Sequence, residues 1–232
     1  EISTLLTEGK PLQEVSLIHF VSNEVTNRSI PLEGLTKGTI VSIDEVAIEK
    51  LLNGNSDFIQ LGLPLSERQN LKLNLVRHEI FAEDFALYTS GEPGIPFNYT
   101  PGVHYKGVVE GDPSSLVAVS VFNNEVMALI STDHGNMILG RIDNDRESRH
   151  ILYAENDLDK TSGFDCSTPD DGFGYTEEDL KPQAAGRDAG DCVRVYIEID
   201  DDIVTQKGGA TPATNYITGL FNQSIRTRLT QG

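Results

Sequence analysis

The sequence predicts a mainly β protein. An antiparallel, sandwich-like or curved-sheet domain with one short helix should occupy residues 1–154, followed by an extended linker over 155–191 and a strand–helix unit over 192–232. Three observations carry this expectation. Short apolar blocks recur roughly every ten residues between positions 15 and 154, which is the spacing of strands joined by tight turns. Several blocks alternate in period two, most clearly Leu71-Lys72-Leu73-Asn74-Leu75, so that odd positions face a core and even ones water. At Glu155 the composition shifts to Asp, Glu, Gly and Pro with little periodicity, as expected of a linker.

The strand blocks fall at 15–20, 39–43, 58–63, 71–75, 85–88, 103–109, 116–121, 126–130, 137–142 and 151–154. Turn signals such as Pro101-Gly102, Gly111-Asp112-Pro113, Asn123-Asn124 and His134-Gly135 separate them. The one short helix starts at Asp44, a good N-cap, and stops at Asn53-Gly54. Beyond the linker, residues 192–200 alternate like a strand. Lys207-Gly208-Gly209 makes a turn, and a helix follows from Thr214 to about Arg228, with Tyr216, Ile217, Leu220 and Phe221 at helical spacing. One strand and one helix cannot bury a core of their own, so residues 192–232 read as the first unit of something larger.

Composition bounds the function. Hydrophobic residues make up 38% of the chain and charged residues 23%, which fits a globular protein rather than a disordered or disulfide-stapled one. The net charge of −18 repels phosphate backbones and anionic headgroups, so nucleic acid and membranes are not expected partners. No apolar run approaches the ~20 residues of a bilayer span. The opening Glu1-Ile2-Ser3-Thr4 has neither an initiator Met nor a signal-peptide core, and reads as the start of a processed or excised piece.

Catalytic signatures are missing. His19, His78, His104, His134 and His150 include no pair at helical i, i+4 spacing, and no His-Glu-x-x-His, Gly-x-Ser-x-Gly or Cys-x-x-Cys occurs. No catalytic residue and no cofactor-binding residue is therefore expected in this segment. Asp200-Asp201-Asp202 lacks the spaced ligands of a calcium loop and reads as a solvated strand end. Asn27, Asn98 and Asn222 each begin a glycosylation triplet, a number near chance that carries no argument. The two cysteines, Cys166 in the linker and Cys192 at the start of the second block, admit two readings. They form a disulfide worth roughly 3.5 kcal/mol on the loop-entropy model, or Cys166 is an exposed thiolate that ligates a metal held by another domain.

A resemblance sharpens the second reading. Tyr105-x-Gly107-x-Val109-x-Gly111, then a small-residue turn, then Ser115-x-Val117-Ala118-Val119-Ser120 resembles the propeptide of reprolysin-type (adamalysin-type, metzincin) zinc proteases. Residues 192–202 and 215–223 are similar to the opening strand and helix of the protease domain of secreted, bacterial members. The resemblance implies a secreted zymogen whose β-rich prodomain assists folding and keeps the protease latent by covering its cleft. The partner would be its own catalytic domain, and the zinc would sit in the full-length parent rather than in this segment. It also implies Cys166 as an inhibitory zinc ligand, with the Cys166–Cys192 disulfide as the alternative. The rival from another class is a non-catalytic β-sandwich adhesion or carbohydrate-binding module.

Overall fold

A computed structural model describes residues 11–23, 34–54, 56–143, 145–158 and 194–224. It divides into two compact units, Glu1–Asp159 together with Ile199–Gly232, and Lys160–Glu198.

The first unit is built on one curled sheet of ten strands. In chain order these are β1 (Gln13–Val15), β2 (Ile18–Ser22), β3 (Thr39–Ile43), β4 (Phe58–Pro64), β5 (Asn70–Arg77), β6 (Val103–Val109), β7 (Asp112–Phe122), β8 (Glu125–Thr132), β9 (Gly135–Arg141) and β10 (His150–Ala154). Their order across the sheet is β1-β4-β5-β6-β7-β8-β9-β10-β3-β2. Every pair is antiparallel except β1 with β4. Of the two expected forms, the curved single sheet is the one adopted.

The curl follows from connectivity. β1 and β2 stand at opposite ends of the strand order, yet only Ser16 and Leu17 separate them in sequence. Three residue steps span at most about 11 Å, so the two sheet edges must approach one another. Side-chain bonds reinforce the approach. Asn23 Nδ2 donates to Thr39 Oγ1 at 2.8 Å, and both side chains donate to the carbonyl of Leu65, just past β4.

The concave face carries the period-two apolar set, including Leu61, Leu73, Tyr105, Val119, Ile130 and Leu139, all at most 1% exposed. A helix, α1 (Glu45–Asn53), packs against this face through Ile48 and Leu51. The N-cap expected at Asp44 is present, with Asp44 Oδ1 accepting from Ala47 N at 2.9 Å. The outward Val46 is 77% exposed.

The motif that carried the family resemblance has a structural account in this sheet. Gly107 crosses so close to β5 that a Cβ would overlap the carbonyl of Asn74. Gly111 has φ +81° in the β6–β7 turn, where an L side chain is strained. Ser115, fully buried, accepts from Val109 N at 2.8 Å and donates to the carbonyl of Asp112 at 2.6 Å, filling the shift in register between β6 and β7.

Three expectations are corrected. Residues 85–88 form no strand, because β5 and β6 pair directly, Arg77 opposite Tyr105, and leave no slot between them. Residues 194–200 of the strand expected at 192–200 are paired in no ladder, and Val195, Tyr196 and Ile197 are 54%, 88% and 43% exposed. Cys192 lies outside the described residues. Asp200-Asp201-Asp202 is a helix start rather than a strand end: α2 (Asp201–Lys207) places Asp201 and Asp202 in its first turn and Lys207 in its last, each favourable to the helix dipole. The expected C-terminal helix, α3 (Ala210–Ser224), begins four residues earlier than its apolar spacing indicates. Both helices belong to the unit that contains the sheet, where α3 packs on β7 and β8.

Replacing Ile48 by Ala should cost about 2–5 kcal/mol, since the side chain is fully buried. Val46→Ala should stay within about 0.5 kcal/mol. Urea denaturation of the two variants measures the difference, and equal midpoints would mean that α1 does not anchor the concave core.

Candidate functional site

The convex face of β6, β7 and β8 carries most of the buried polar chemistry. Tyr105 and Val119 point into the concave core, so His104 and Lys106 on β6, Ser120 and Phe122 on β7, and Met127 on β8 face the other way. Two pieces of chain cover them: α3, and the residues 78–102 that join β5 to β6.

Helix α3 docks by a polar, small-residue face. Ala213, Thr214, Asn215, Thr218, Gly219 and Asn222 are buried, whereas Tyr216, Ile217, Leu220 and Phe221 are only half-buried. Burying hydroxyls is tolerable because they bond back into the helix: Thr214 Oγ1 to the carbonyl of Ala210 and Thr218 Oγ1 to that of Thr214, each at 2.8 Å. At Gly219 a Cβ would lie 2.5 Å from the sulfur of Met127, so a larger residue there requires the flexible Met127 side chain to shift.

Asn222 is the anchor. Its fully buried side-chain nitrogen lies 3.1 Å from the carbonyl of Val119, 3.1 Å from Ser120 Oγ and 3.4 Å from the carbonyl of Tyr105. The ammonium of Lys106 donates to the Asn222 carbonyl in the last turn of α3, where a cation is favourable. Burial pulls the Lys106 pKa down to about 8.

The same Ser120 hydroxyl meets His104 Nδ1 at 2.9 Å. The His104 ring sits 5.6 Å from Phe81 and 5.8 Å from Phe122, and Phe81 in turn packs on Phe85 at 4.5 Å. Tyr99 OH donates to Asn215 Oδ1 at 2.9 Å and ties the 78–102 segment to α3. Burial drives the His104 pKa down to about 4, helped by the nearby positive charge of His78, Arg77 and Lys106.

A Ser–His pair at this distance has the contact of a nucleophile and its base, but Ser120 is 1% and His104 3% exposed, beneath aromatic rings. Substrate has no route to it. The arrangement is chemically a docking platform.

A second buried histidine lies on β10. His150 Nε2 accepts from Val126 N at 3.1 Å while Nδ1 donates to the carbonyl of Ser148 at 3.1 Å, which fixes the neutral tautomer. Its pKa is also about 4, chiefly through burial. Of the other histidines, His78 lies beside His104, with its backbone N donating to the His104 carbonyl, and the remaining two stand apart. His19 stands 3.9 Å from Asp44 at the surface, and His134 lies in the β8–β9 turn.

Of the residues expected to carry a site, Cys166 and Cys192 lie outside the described residues, and Asp200, Asp201 and Asp202 open α2. Among the described residues, no three of His, Cys, Asp and Glu converge as metal ligands, and no helix is long and apolar enough to cross a membrane. No protein-family model matches the chain, and no curated protein matches it. The network around Asn222 was not expected. Its signal was the stripe Thr214, Thr218 and Asn222 at four-residue spacing, with Asn215 and Gly219 beside it.

The buried histidines set a pH dependence. Each has its folded pKa near 4, below its ordinary 6.5, so the unfolded chain binds more protons between those values. Their stabilisation is complete above about pH 6.5 and is lost as pH falls toward 4, by up to roughly 3 kcal/mol for each. Urea midpoints at pH 7 and 4.5 should fall steeply for the wild type and less steeply for His150→Gln. Parallel losses would show that His150 does not titrate as its burial requires.

Proposed function

We propose that this chain is the propeptide and the start of the catalytic domain of a secreted, reprolysin-like zinc metalloendopeptidase zymogen. Its task is to keep the protease latent and to assist its folding. The observation that carries the reading is apolar surface left uncovered in the C-terminal residues. Residues 194–199 pair in no ladder, and Val195, Tyr196 and Ile197 among them are exposed. Helix α3 spends its polar face on the sheet and leaves Tyr216, Ile217, Leu220 and Phe221 half-buried. An unpaired apolar stretch and a half-covered apolar helix stripe are each surfaces that further chain could cover.

Latency on this reading comes from the linker beyond Leu158 lying along the protease cleft, with Cys166 as a zinc ligand, while residues 155–158 stay with the sheet through Thr36 and Leu35. Catalytic zinc keeps one position open for water, and a thiolate in that position removes both the nucleophile and the substrate site. On this reading the zinc is held by the protease domain and this chain adds the Cys166 sulfur to it.

The test has two parts. The purified chain should show no peptidase activity with added zinc. It should inhibit the metalloprotease domain encoded in the same reading frame, and Cys166→Ala should weaken that inhibition. A reading frame with no His-Glu-x-x-His motif, or a domain that the chain does not inhibit, overturns the zymogen reading in favour of an adhesion or carbohydrate-binding module. Thiol titration of the unreduced, denatured chain separates the two cysteine states: two free thiols fit a zinc ligand, and none means that Cys166 is spent in a disulfide.

A further inference from the structure

The connection between β5 and β6 is unlike the others in the sheet. It runs through residues 78–102, far longer than the two to five residues that join most hairpins, and connections of this length in a compact domain are usually functional. The segment is tied down at its base. His78 N donates to the carbonyl of His104 at 2.8 Å, Phe81 and Phe85 pack together, and Tyr99 holds α3 through Asn215. Phe97 N donates to the carbonyl of Leu87 at 2.7 Å, and the rings of Phe85 and Tyr99 meet at 6.1 Å, so the chain runs out and returns alongside itself.

The tip of this ribbon points the wrong chemistry at water. Tyr88 and Ile95 are 53% and 61% exposed, and Phe97 is also exposed. Between 78 and 102 the chain has four carboxylates, Glu79, Glu83, Asp84 and Glu92, and no Lys or Arg. A cluster of exposed apolar side chains on a braced support marks an interaction site, and bracing reduces the ordering cost of binding.

We propose that the tip formed by Tyr88, Ile95 and Phe97 docks onto an apolar patch rimmed by Lys and Arg on the protease domain; this rests on the zymogen reading above. Charge selects that occupant. A second copy of a chain with net charge −18 would bring carboxylates against carboxylates, and anionic lipid is repelled in the same way. Position selects it as well, because the ribbon is bonded through Tyr99 to α3, which on that reading is the first helix of the protease domain. The ribbon then works as a clamp that holds the partner from one side.

The binding of the chain to the protease domain from its own reading frame, measured in trans, tests this. Tyr88→Ser combined with Ile95→Ser should weaken binding by at least about tenfold, mainly through faster dissociation. Glu83→Lys combined with Glu92→Lys should slow association and remove its dependence on salt. Both side chains of the first pair are exposed, so its urea midpoint should match the wild type and exclude misfolding. Unchanged affinity in both double variants overturns the clamp while leaving the zymogen reading intact. Failure of the wild type to bind the domain overturns both. Wild-type sedimentation with phosphatidylcholine vesicles that the Ser variant loses, with protein binding unaffected, reassigns the tip to lipid and also overturns the proposal.

Discussion

The short bridge through Ser16 and Leu17 is the constraint on which the sheet depends. It joins the strands at the two ends of the ten-strand order, so a flat arrangement is excluded by the reach of the chain alone. Curling has two consequences. It gathers the inward residues of nearly every strand around one concave core, which α1 helps to fill through Ile48 and Leu51. It also bends β6, β7 and β8 into a convex face that must be covered by something else, and the 78–102 segment and α3 do that.

Much of the sheet was legible because its signal is local. Alternation at Leu71, Leu73 and Leu75 and the turn at Gly111-Asp112-Pro113 require no knowledge of neighbours, and the Asp44 cap lies one residue from its helix. The failures share a cause. A block such as 85–88 has strand composition, yet a strand exists only where an edge is available, and β5 and β6 had taken each other's. Residues 194–200 alternate in the same way and likewise find no ladder among the described residues. Alternation reports what a segment can do in a sheet, not whether the sheet has room for it.

The convex site was harder to foresee because it inverts the usual helix rule. An amphipathic helix ordinarily turns its apolar stripe inward, and Tyr216, Ile217, Leu220 and Phe221 suggest that orientation for α3. The polar face wins on this sheet because most of its groups have a partner: threonines bond back along the helix, Asn215 meets Tyr99, and the Asn222 side-chain nitrogen meets β6 and β7, leaving only the Asn222 side-chain oxygen without a bond. A buried polar face costs little when it is satisfied and is expensive when it is not. The cysteines, by contrast, gave a clear chemical alternative from sequence alone.

Asn222 recognises the sheet largely through main-chain oxygens, those of Tyr105 and Val119, which every amino acid supplies. The sheet can therefore exchange many of its outward side chains over evolutionary time without losing the grip of the helix, whereas the helix cannot exchange Asn222. Mutational drift should accordingly be lopsided across this contact, broad on the strands and narrow on α3 at Asn222, which is fixed by its amide.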